Sequence, residues 1–193
     1  MPGLNAAFLS ADEVRELGLA HVGKDALIHR LAVLVRPETI SIGDHTRIDP
    51  FVVLSAREGV EIGRNVHVGA HTSLTGRARI VMEDFSAVSH GVRVFSSSDD
   101  FEGLGLTNPT VPEEFRAART APVRIGRHAI VGAGSVLLPG AVLAEGTGVG
   151  ALSLVASVLD PWTLYAGVPV RRLRDRQRKP IALEAAYLAR ERE

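Results

Sequence analysis

Aliphatic residues return about every six positions along most of this chain, often with a glycine directly after them. The spacing holds in two well-separated stretches, Ile62, Val68 and Leu74, and Ile125, Val131 and Leu137. An α-helix would show a period of 3.6 residues and an exposed strand a strict alternation, and neither fits as well. A six-residue step predicts a three-sided solenoid, in which each side is a short strand with one aliphatic side chain pointing inward.

Five segments of the chain align on this period. They are ISIGDHTRIDPFVVL from Ile40, VEIGRNVHVGAHTSL from Val60, IVMEDFSAVSHGVRV from Ile80, VRIGRHAIVGAGSVL from Val123 and VLAEGTGVGALSLV from Val142. Three sides of six residues predict coils of about eighteen residues, stacked at the strand spacing of about 4.8 Å. The repeats therefore predict an all-β solenoid domain over residues 40–179.

Segments outside the repeats predict two helices. Ser10 and Glu13 have the spacing of a capping box, so residues 1–39 are predicted to form a short N-terminal helix and a lead-in. Pro180 opens a segment typical of a C-terminal helix over 180–193. Since the end coils of a solenoid need covering, both helices are expected to act as caps. The C-terminal helix offers apolar residues to the solenoid end or a neighbour: Leu183, Ala186 and Leu188.

A long insertion interrupts the repeats over residues 96–122. Its sequence, SSSDDFEGLGLTNPTVPEEFRAARTAP, is rich in Gly, Pro and polar residues and has no periodicity. Structureless segments of this length within a compact domain are usually functional or disordered. We expect a loop that leaves the solenoid and takes part in function.

Composition narrows the classes of function. Lys and Arg number 22, as do Asp and Glu, so no global charge favours nucleic acid as a partner. The chain has no Cys, which excludes disulfides, thiolate metal sites and a Cys nucleophile. The N-terminus has early acidic residues and lacks the order of a signal peptide, and we expect a cytoplasmic protein.

One stretch raises the question of a membrane span. Between residues 129 and 159 the only charge is Glu145, which on hydropathy alone suggests a transmembrane segment. Gly and Pro recur through this stretch and its apolar residues keep the short repeat. The pattern therefore favours solenoid coils over membrane insertion.

The repeats, the insertion and the ending WTLYAGVPVRRL from Trp162 together resemble the hexapeptide-repeat acetyltransferases. The likeness is to the galactoside and maltose O-acetyltransferase group and to relatives that acetylate nucleotide-linked amino sugars. It implies a left-handed parallel β-helix, acetyl-CoA as co-substrate, no metal, and a sugar or nucleotide-sugar acceptor. It also implies a homotrimer, with the insertion of one subunit covering a site shared with the next, and a place in cell-surface polysaccharide biosynthesis.

Acetyl transfer needs a base for the attacking group and N–H donors for the developing oxyanion. In galactoside acetyltransferases the base is a His just after the strand that leads into the insertion, and here that position is Asp99. An Asp of ordinary pKa, about 3.9, is a poor base at neutral pH. Either Asp99 orients a His from an adjacent coil, or the acceptor is an amine that needs less from a base.

We choose His67 as the imidazole partner of Asp99. It precedes the inward Val68 and should face outward, at a position that resembles part of the family's acceptor pocket. Acceptor contacts are expected from two further histidines near the next corner and from two residues of the insertion: His71, His90, Asp100 and Asn108.

The resemblance places CoA on the later coils. Small residues allow a ligand to approach the backbone, so the thioester and pantetheine are expected at Gly132, Ala133 and Gly134, with Ser153 at the matching place one coil on. Arg171 and Arg172 are candidates for the phosphates of CoA.

Three alternatives remain open. The acceptor could be specifically the amine of a nucleotide-linked amino sugar, which the departure at Asp99 favours. The same fold also carries zinc carbonic anhydrases, for which His67, His71 and His90 would supply ligands, although that family lacks the insertion and the AGVPVRRL ending. A non-catalytic trimeric scaffold is the third alternative.

Overall fold

The computed structural model describes residues 7–191. In chain order the helices and strands are α1 (Ala11–Glu16), β1 (His21–Val22), β2 (Leu27–Ile28), β3 (Val33–Leu34), β4 (Ile40–Ile42), β5 (Arg47–Ile48), β6 (Val53–Ala56), β7 (Val60–Ile62), β8 (His67–Val68), β9 (Ser73–Gly76), β10 (Ile80–Met82), β11 (Ala87–Val88), β12 (Arg93–Phe95), β13 (Ser97–Ser98), β14 (Arg119–Thr120), β15 (Val123–Ile125), β16 (Ile130–Val131), β17 (Val136–Leu137), β18 (Val142–Leu143), β19 (Gly148–Val149), β20 (Leu154–Val155), β21 (Val158–Leu159), β22 (Thr163–Ala166), β23 (Arg171–Asp175) and α2 (Lys179–Arg190).

Every third strand of the solenoid stacks in one of three parallel sheets. The first sheet has the order β1-β4-β7-β10-β15-β18-β21, the second β2-β5-β8-β11-β16-β19-β22, and the third β3-β6-β9-β12-β17-β20. The last strand, β23, turns back and pairs antiparallel with β22. The fold is the predicted left-handed parallel β-helix of about seven coils.

Aliphatic side chains from the strands of the three stacked sheets fill the axis of the solenoid. Ile48, Val68 and Val88 stack in the second sheet, and Leu54 and Leu74 in the third, all with no exposed surface. Burying each such side chain contributes about 1.5–3 kcal/mol. The core is therefore a column of interlocking aliphatic layers, and the outward residues of each strand are left free for function.

Coil length varies, which corrects the expected eighteen residues per coil. Ile42 pairs with Ile62, a separation of 20 residues, whereas Ile125 lies 18 residues from its stacked partner Leu143. The last coil is shorter still, since Leu143 pairs with Leu159, 16 residues on. The difference arises at the corner between the third and first sheets, where the early coils carry extra turn residues.

The coils begin earlier in the chain than the aligned segments indicated. Strand β1 already pairs with β4 in the first sheet, so coil structure starts at His21, within the segment 1–39 predicted as helix and lead-in. Val22 packs against the core and Ile28 is buried within it. Ahead of this coil, α1 has the predicted capping box, with Ser10 N donating to Glu13 Oε2 at 2.7 Å and Glu13 N donating to Ser10 Oγ at 3.2 Å.

Helix α2 lies along the corner between the first and second sheets and contacts the solenoid through polar groups. Glu184, whose side chain is 10% exposed, accepts from Arg127 Nε at 2.9 Å and lies 2.7 Å from His128 Nε2. Asn65 Nδ2 donates to the Tyr187 hydroxyl at 3.1 Å. Of the apolar residues expected to pack, Leu183 and Ala186 are exposed, whereas Leu188, one turn on from Glu184, is partly buried.

The apolar stretch between residues 129 and 159 forms strands β16 to β21 of the solenoid. Across residues 7–191, neither helix has the length and apolar character that a membrane span requires.

Candidate active site

A buried carboxylate and a histidine meet on the outer face of the second sheet. Arg47 of β5 stacks on His67 of β8, and Asp49 follows β5 at the corner. His67 Nε2 lies 2.8 Å from Asp49 Oδ2, and Arg47 Nε donates to Asp49 Oδ1 at 2.7 Å. The Asp49 side chain is 7% exposed and that of His67 is 43% exposed. His67 thus faces outward, as its place before Val68 indicated.

The charge on Asp49 is fixed by its neighbours. Burial acts to raise the pKa of the Asp49 carboxyl, but the hydrogen bonds from Arg47 and His67 and their charges outweigh it and lower the pKa. Asp49 is therefore ionised at neutral pH and acts only as a hydrogen-bond acceptor.

The Asp49–His67 pair forms one wall of an open groove of about 510 Å³, which we call the histidine groove. It is lined by His45, Arg47, Asp49, Asn65, Val66, His67 and His90. His71 lies outside this lining, at the next corner, where its ring stacks on Phe51 with centroids 4.8 Å apart. Of the two histidines predicted to contact the acceptor, His90 lines the same groove as His67, whereas His71 does not.

The insertion leaves the solenoid after β12 as a two-stranded ribbon. Strands β13 and β14 pair antiparallel at its base, and Asp99 follows β13 directly. Arg116 Nη2 donates to Asp99 Oδ1 at 2.6 Å and Asn108 N donates to Asp99 Oδ2 at 3.1 Å. Asp99 therefore ties the two arms of the loop together.

Asp99 is a weaker base here than a free aspartate. The hydrogen bond from Arg116 is the main cause that lowers the pKa of its carboxyl, with the Asn108 amide adding to it against a smaller opposing effect of burial. The Arg116 side chain is 10% exposed and its Nε has no hydrogen-bond partner among the described residues. Nothing in the sequence pointed to Arg116, since an Arg in an aperiodic loop has no spacing to distinguish it.

Asp99 lines a second pocket, of about 470 Å³, which we call the insertion pocket. Its lining is Ser55, Thr75, Gly76, Arg77, Ser97, Ser98, Asp99, Pro109, Arg116 and Ala118. Asp99 and His67 line different pockets. Within the chain the acid partner of His67 is Asp49, and the expected pairing of His67 with Asp99 stays a prediction.

The two insertion residues expected to contact an acceptor, Asp100 and Asn108, make hydrogen bonds within the loop. Asp100 Oδ1 accepts from Glu102 N at 3.0 Å, and Asn108 Oδ1 accepts from Thr110 N at 3.0 Å. Their side chains hold two turns of the insertion.

The residues predicted to bind CoA lie at two places on the later coils. Gly132, Ala133 and Gly134 form the corner between β16 and β17, where Ala133 and Gly134 are exposed. Ser153, in the matching corner one coil on, is 2% exposed, and its Oγ accepts from Gly167 N at 3.0 Å. That hydroxyl is engaged within the solenoid.

The two arginines proposed for the CoA phosphates lie at the end of the solenoid. Arg171 and Arg172 are exposed on β23, and Arg172 Nη2 donates to Asp175 Oδ1 at 2.5 Å. They lie one to two coils beyond the Gly132 corner, since β23 pairs with β22 in the final coil.

Between residues 7 and 191, no group of three or more His, Asp or Glu side chains is placed to hold a metal ion. His67, His71 and His90 form no such group within one chain.

Sequence reasoning missed Asp49 as well as Arg116. In later coils the same corner position is Gly69, Ser89 and Gly132, so a charged residue there breaks the repeat. The break in the repeat at Asp49 was the feature of the sequence that could have identified it. A carboxylate at a buried position where the later coils have a small residue points to a specific partner.

Comparison with known proteins agrees with this architecture. No family model matches the chain. A dTDP-4-amino-4,6-dideoxy-D-glucose acyltransferase of Escherichia coli is 34% identical over 182 residues, 94% of this chain and 95% of that protein. The chain belongs to the hexapeptide-repeat sugar acyltransferases. This confirms the predicted fold and the predicted class of enzyme.

Two further similarities bear on the site. AntD, an N-acyltransferase from Bacillus cereus solved with dTDP and 3-hydroxybutyryl-CoA, superposes with a TM-score of 0.94 at 39% identity, over 98% of this chain and 100% of that one. A putative lipopolysaccharide biosynthesis O-acetyl transferase, WbbJ of Escherichia coli K12, is 28% identical over 69% of this chain and 67% of that protein.

Proposed function

We propose that this enzyme transfers an acyl group from an acyl-CoA to the amine of a nucleotide-linked amino sugar. The observation that carries the proposal is the extent of the likeness to the dTDP-amino-sugar acyltransferase, 94% of the chain, against 69% for the O-acetyl transferase. The residue at the family's His position supports it too. Asp99 has a lowered pKa, and a neutral amine can attack a thioester without a strong base.

The distance along the chain between two residues replaced in AntD supports a role for Asp99 in the active site. Variants of that protein with a replaced serine or a replaced aspartate have been solved with CoA, and the two positions are ten residues apart. Ser89 and Asp99 are ten residues apart in this chain. We assign Asp99 to holding the acceptor amine and Ser89, beside His90 at the corner after β11, to the same site.

The other site residues keep the roles that the sequence suggested. His67 takes the proton from the attacking amine, and His71 and His90 contact the acceptor. The exposed backbone of Gly132, Ala133 and Gly134 binds the thioester and pantetheine, with Ser153 beside it, and Arg171 and Arg172 bind the CoA phosphates. Asp100 and Asn108 shape the insertion that lies against the acceptor.

The site requires a second copy of the chain. His67 and Asp99 line separate pockets, the histidine groove and the insertion pocket. In a homotrimer the insertion of one subunit would cover the histidine groove of the next, so that Asp99 and His67 face one acceptor. We place this enzyme in the cytoplasm, where acyl-CoA is available, and in polysaccharide biosynthesis, as the likeness to WbbJ suggests.

The direct test is release of CoA thiol from acetyl-CoA and 3-hydroxybutyryl-CoA with matched acceptors. dTDP-4-amino-4,6-dideoxyglucose should support turnover, and the same nucleotide sugar with a 4-hydroxyl should not. Asp99→Asn should raise KM for the amino sugar, whereas Asp12→Asn, an exposed aspartate of α1, should leave KM unchanged. Turnover with galactosides or with the hydroxyl analogue alone would make the enzyme an O-acetyltransferase and contradict the proposal.

Subunit mixing tests the shared site. His67→Ala and Asp99→Ala chains should each have little activity alone. If the chains assemble randomly in equal amounts, about one interface in four joins an intact His67 to an intact Asp99, so roughly a quarter of wild-type activity should return. No recovery in mixed trimers, verified by two affinity tags, would mean that both residues serve a site within one chain.

A further inference from the structure

Asp49 is the most buried carboxylate on the outer surface of the second sheet, and its place in the repeat is unusual. The neighbouring coil has Gly69 at this corner, and a glycine or serine suffices there for the backbone to turn. Burying a carboxylate costs free energy unless it is paired and hydrogen-bonded. Its presence therefore calls for a specific role for the partners that it holds.

Both oxygens of Asp49 are occupied. Oδ1 accepts from Arg47 Nε at 2.7 Å, and Oδ2 lies 2.8 Å from His67 Nε2. An ionised carboxylate can only accept, so Nε2 of His67 must carry a proton. Arg47 is itself held in place, because its guanidinium lies 5.1 Å from the centroid of the Phe8 ring.

This arrangement fixes the tautomer of the imidazole. When His67 is neutral and Nε2 carries the hydrogen, Nδ1 has a free lone pair and acts as an acceptor. Nδ1 has no hydrogen-bond partner within residues 7–191. With 43% of its side chain exposed, His67 presents this acceptor at the surface of the histidine groove.

Two of the groups around the imidazole are not available to Nδ1, because one is paired elsewhere and the other is apolar. His45 lies 3.6 Å from Asp25 and 3.3 Å from Glu191 through its two ring nitrogens. The next strand of the sheet places Ala87 beside His67, which has no polar side chain. The remaining polar members of the groove are Asn65 and His90.

We infer that Asp49 is a positioning residue for His67, holding it as the Nε2–H tautomer so that Nδ1 accepts the proton of the acceptor amine. This inference rests on the proposed function. As the amine nitrogen bonds to the thioester carbonyl carbon, its proton passes to Nδ1. When the tetrahedral intermediate collapses, the C–S bond breaks and the thiolate of CoA takes that proton and leaves as the thiol.

Nitrogen-15 NMR of the full chain tests the tautomer without any substrate. The ring signals of His67 are assigned by their loss in His67→Gln. In the wild type, Nε2 should be the protonated nitrogen and Nδ1 the unprotonated one. In Asp49→Asn, both tautomers should be populated. An Nδ1-protonated ring in the wild type would overturn the inference, and this holds even if the enzyme proves to act on another acceptor.

Kinetics test the consequence. Asp49→Asn should lower kcat at least about tenfold, part of the 10²–10⁴-fold that a positioned base contributes, with KM for acyl-CoA unchanged. Asp44→Asn is the matched control, since Asp44 lies in the same coil and its carboxylate accepts from Lys24 N at 2.7 Å and not from His67. Equal losses in Asp49→Asn and Asp44→Asn would assign Asp49 a structural role only. Wild-type turnover confined to hydroxyl acceptors would instead count against the proposed function.

Discussion

Gly132→Ala should push two coils of the solenoid apart at the corner proposed to bind the thioester. A Cβ built on Gly132 would lie 2.4 Å from Ala151 N and 2.7 Å from Gly150 C, both backbone atoms of the next coil. Ordinary contacts of this kind are about 3.4 Å or longer, so the coils must separate by roughly 1 Å where they are normally about 4.8 Å apart. Backbone atoms cannot rotate away as a side chain can.

The cost follows from the hydrogen bonds at this corner. Gly132 N donates to Val149 O at 2.8 Å and Leu152 N donates to Ala133 O at 2.9 Å. A shift of about 1 Å takes both beyond hydrogen-bond range, at about 1 kcal/mol each. Overpacking adds about 1–3 kcal/mol. We expect a loss of about 3–5 kcal/mol in the free energy of unfolding.

Thermal unfolding followed by circular dichroism measures this loss. For a chain of this size, 1 kcal/mol shifts Tm by about 2–4 °C, so Gly132→Ala should unfold roughly 10 °C below the wild type. All proteins are compared at one concentration, because assembly makes Tm depend on concentration. Below its Tm, the variant should also have a raised KM for acyl-CoA.

Gly148→Ala is the matched control from the same solenoid. A Cβ there would meet Leu164 Cδ1 at 3.1 Å and Arg176 Cδ at 3.5 Å, which belong to side chains that can move. Neither glycine has a left-handed φ, so alanine strains neither backbone. We expect a cost below about 1 kcal/mol for Gly148→Ala. Equal, small shifts in Tm for both variants would refute the reasoning from backbone contact.

Three further predictions concern stability. Leu74→Ala, which empties a fully buried layer of the core, should cost about 2–5 kcal/mol of unfolding free energy in urea titrations, and a cost below 1 kcal/mol would mean that the coils collapse around the cavity. Glu184→Ala removes the acid partner of the buried His128 and leaves Arg127 with Asp84 alone, so limited proteolysis should release α2 faster than in Glu16→Ala, a change in the exposed end of α1; equal rates would assign the docking of α2 to other contacts. Because the pKa of Asp49 is lowered on folding, its contribution to stability is complete above the ordinary aspartate pKa of about 3.9 and is lost as the pH falls through the lowered value; the free energy of unfolding of Asp49→Asn should therefore fall less steeply below pH 4 than that of the wild type.

The sequence by itself determined the solenoid and the inward side of each strand. The aliphatic residues recur every six positions whatever the outward residues are, because the inward side chains of every coil must fill the same narrow core. Val68 and Val131 occupy the core positions that their spacing indicated. The sequence also predicted the insertion, because the six-residue period of aliphatic residues is lost between Val94 and Val123. Residues 1–6 and 192–193 of the two predicted terminal segments lie outside the described residues.

Only the tertiary structure decided which outward side chains meet. Asp49 and His67 are 18 residues apart and face each other because β5 and β8 stack in a register that the 20-residue early coils impose. Asp99 pairs with Arg116 across an aperiodic loop, where no period predicts a partner. The aliphatic period identifies the inward-facing residues of each strand, and it does so for each strand separately. The partners of outward groups depend on the length of each corner and the fold of the insertion, which the period does not encode.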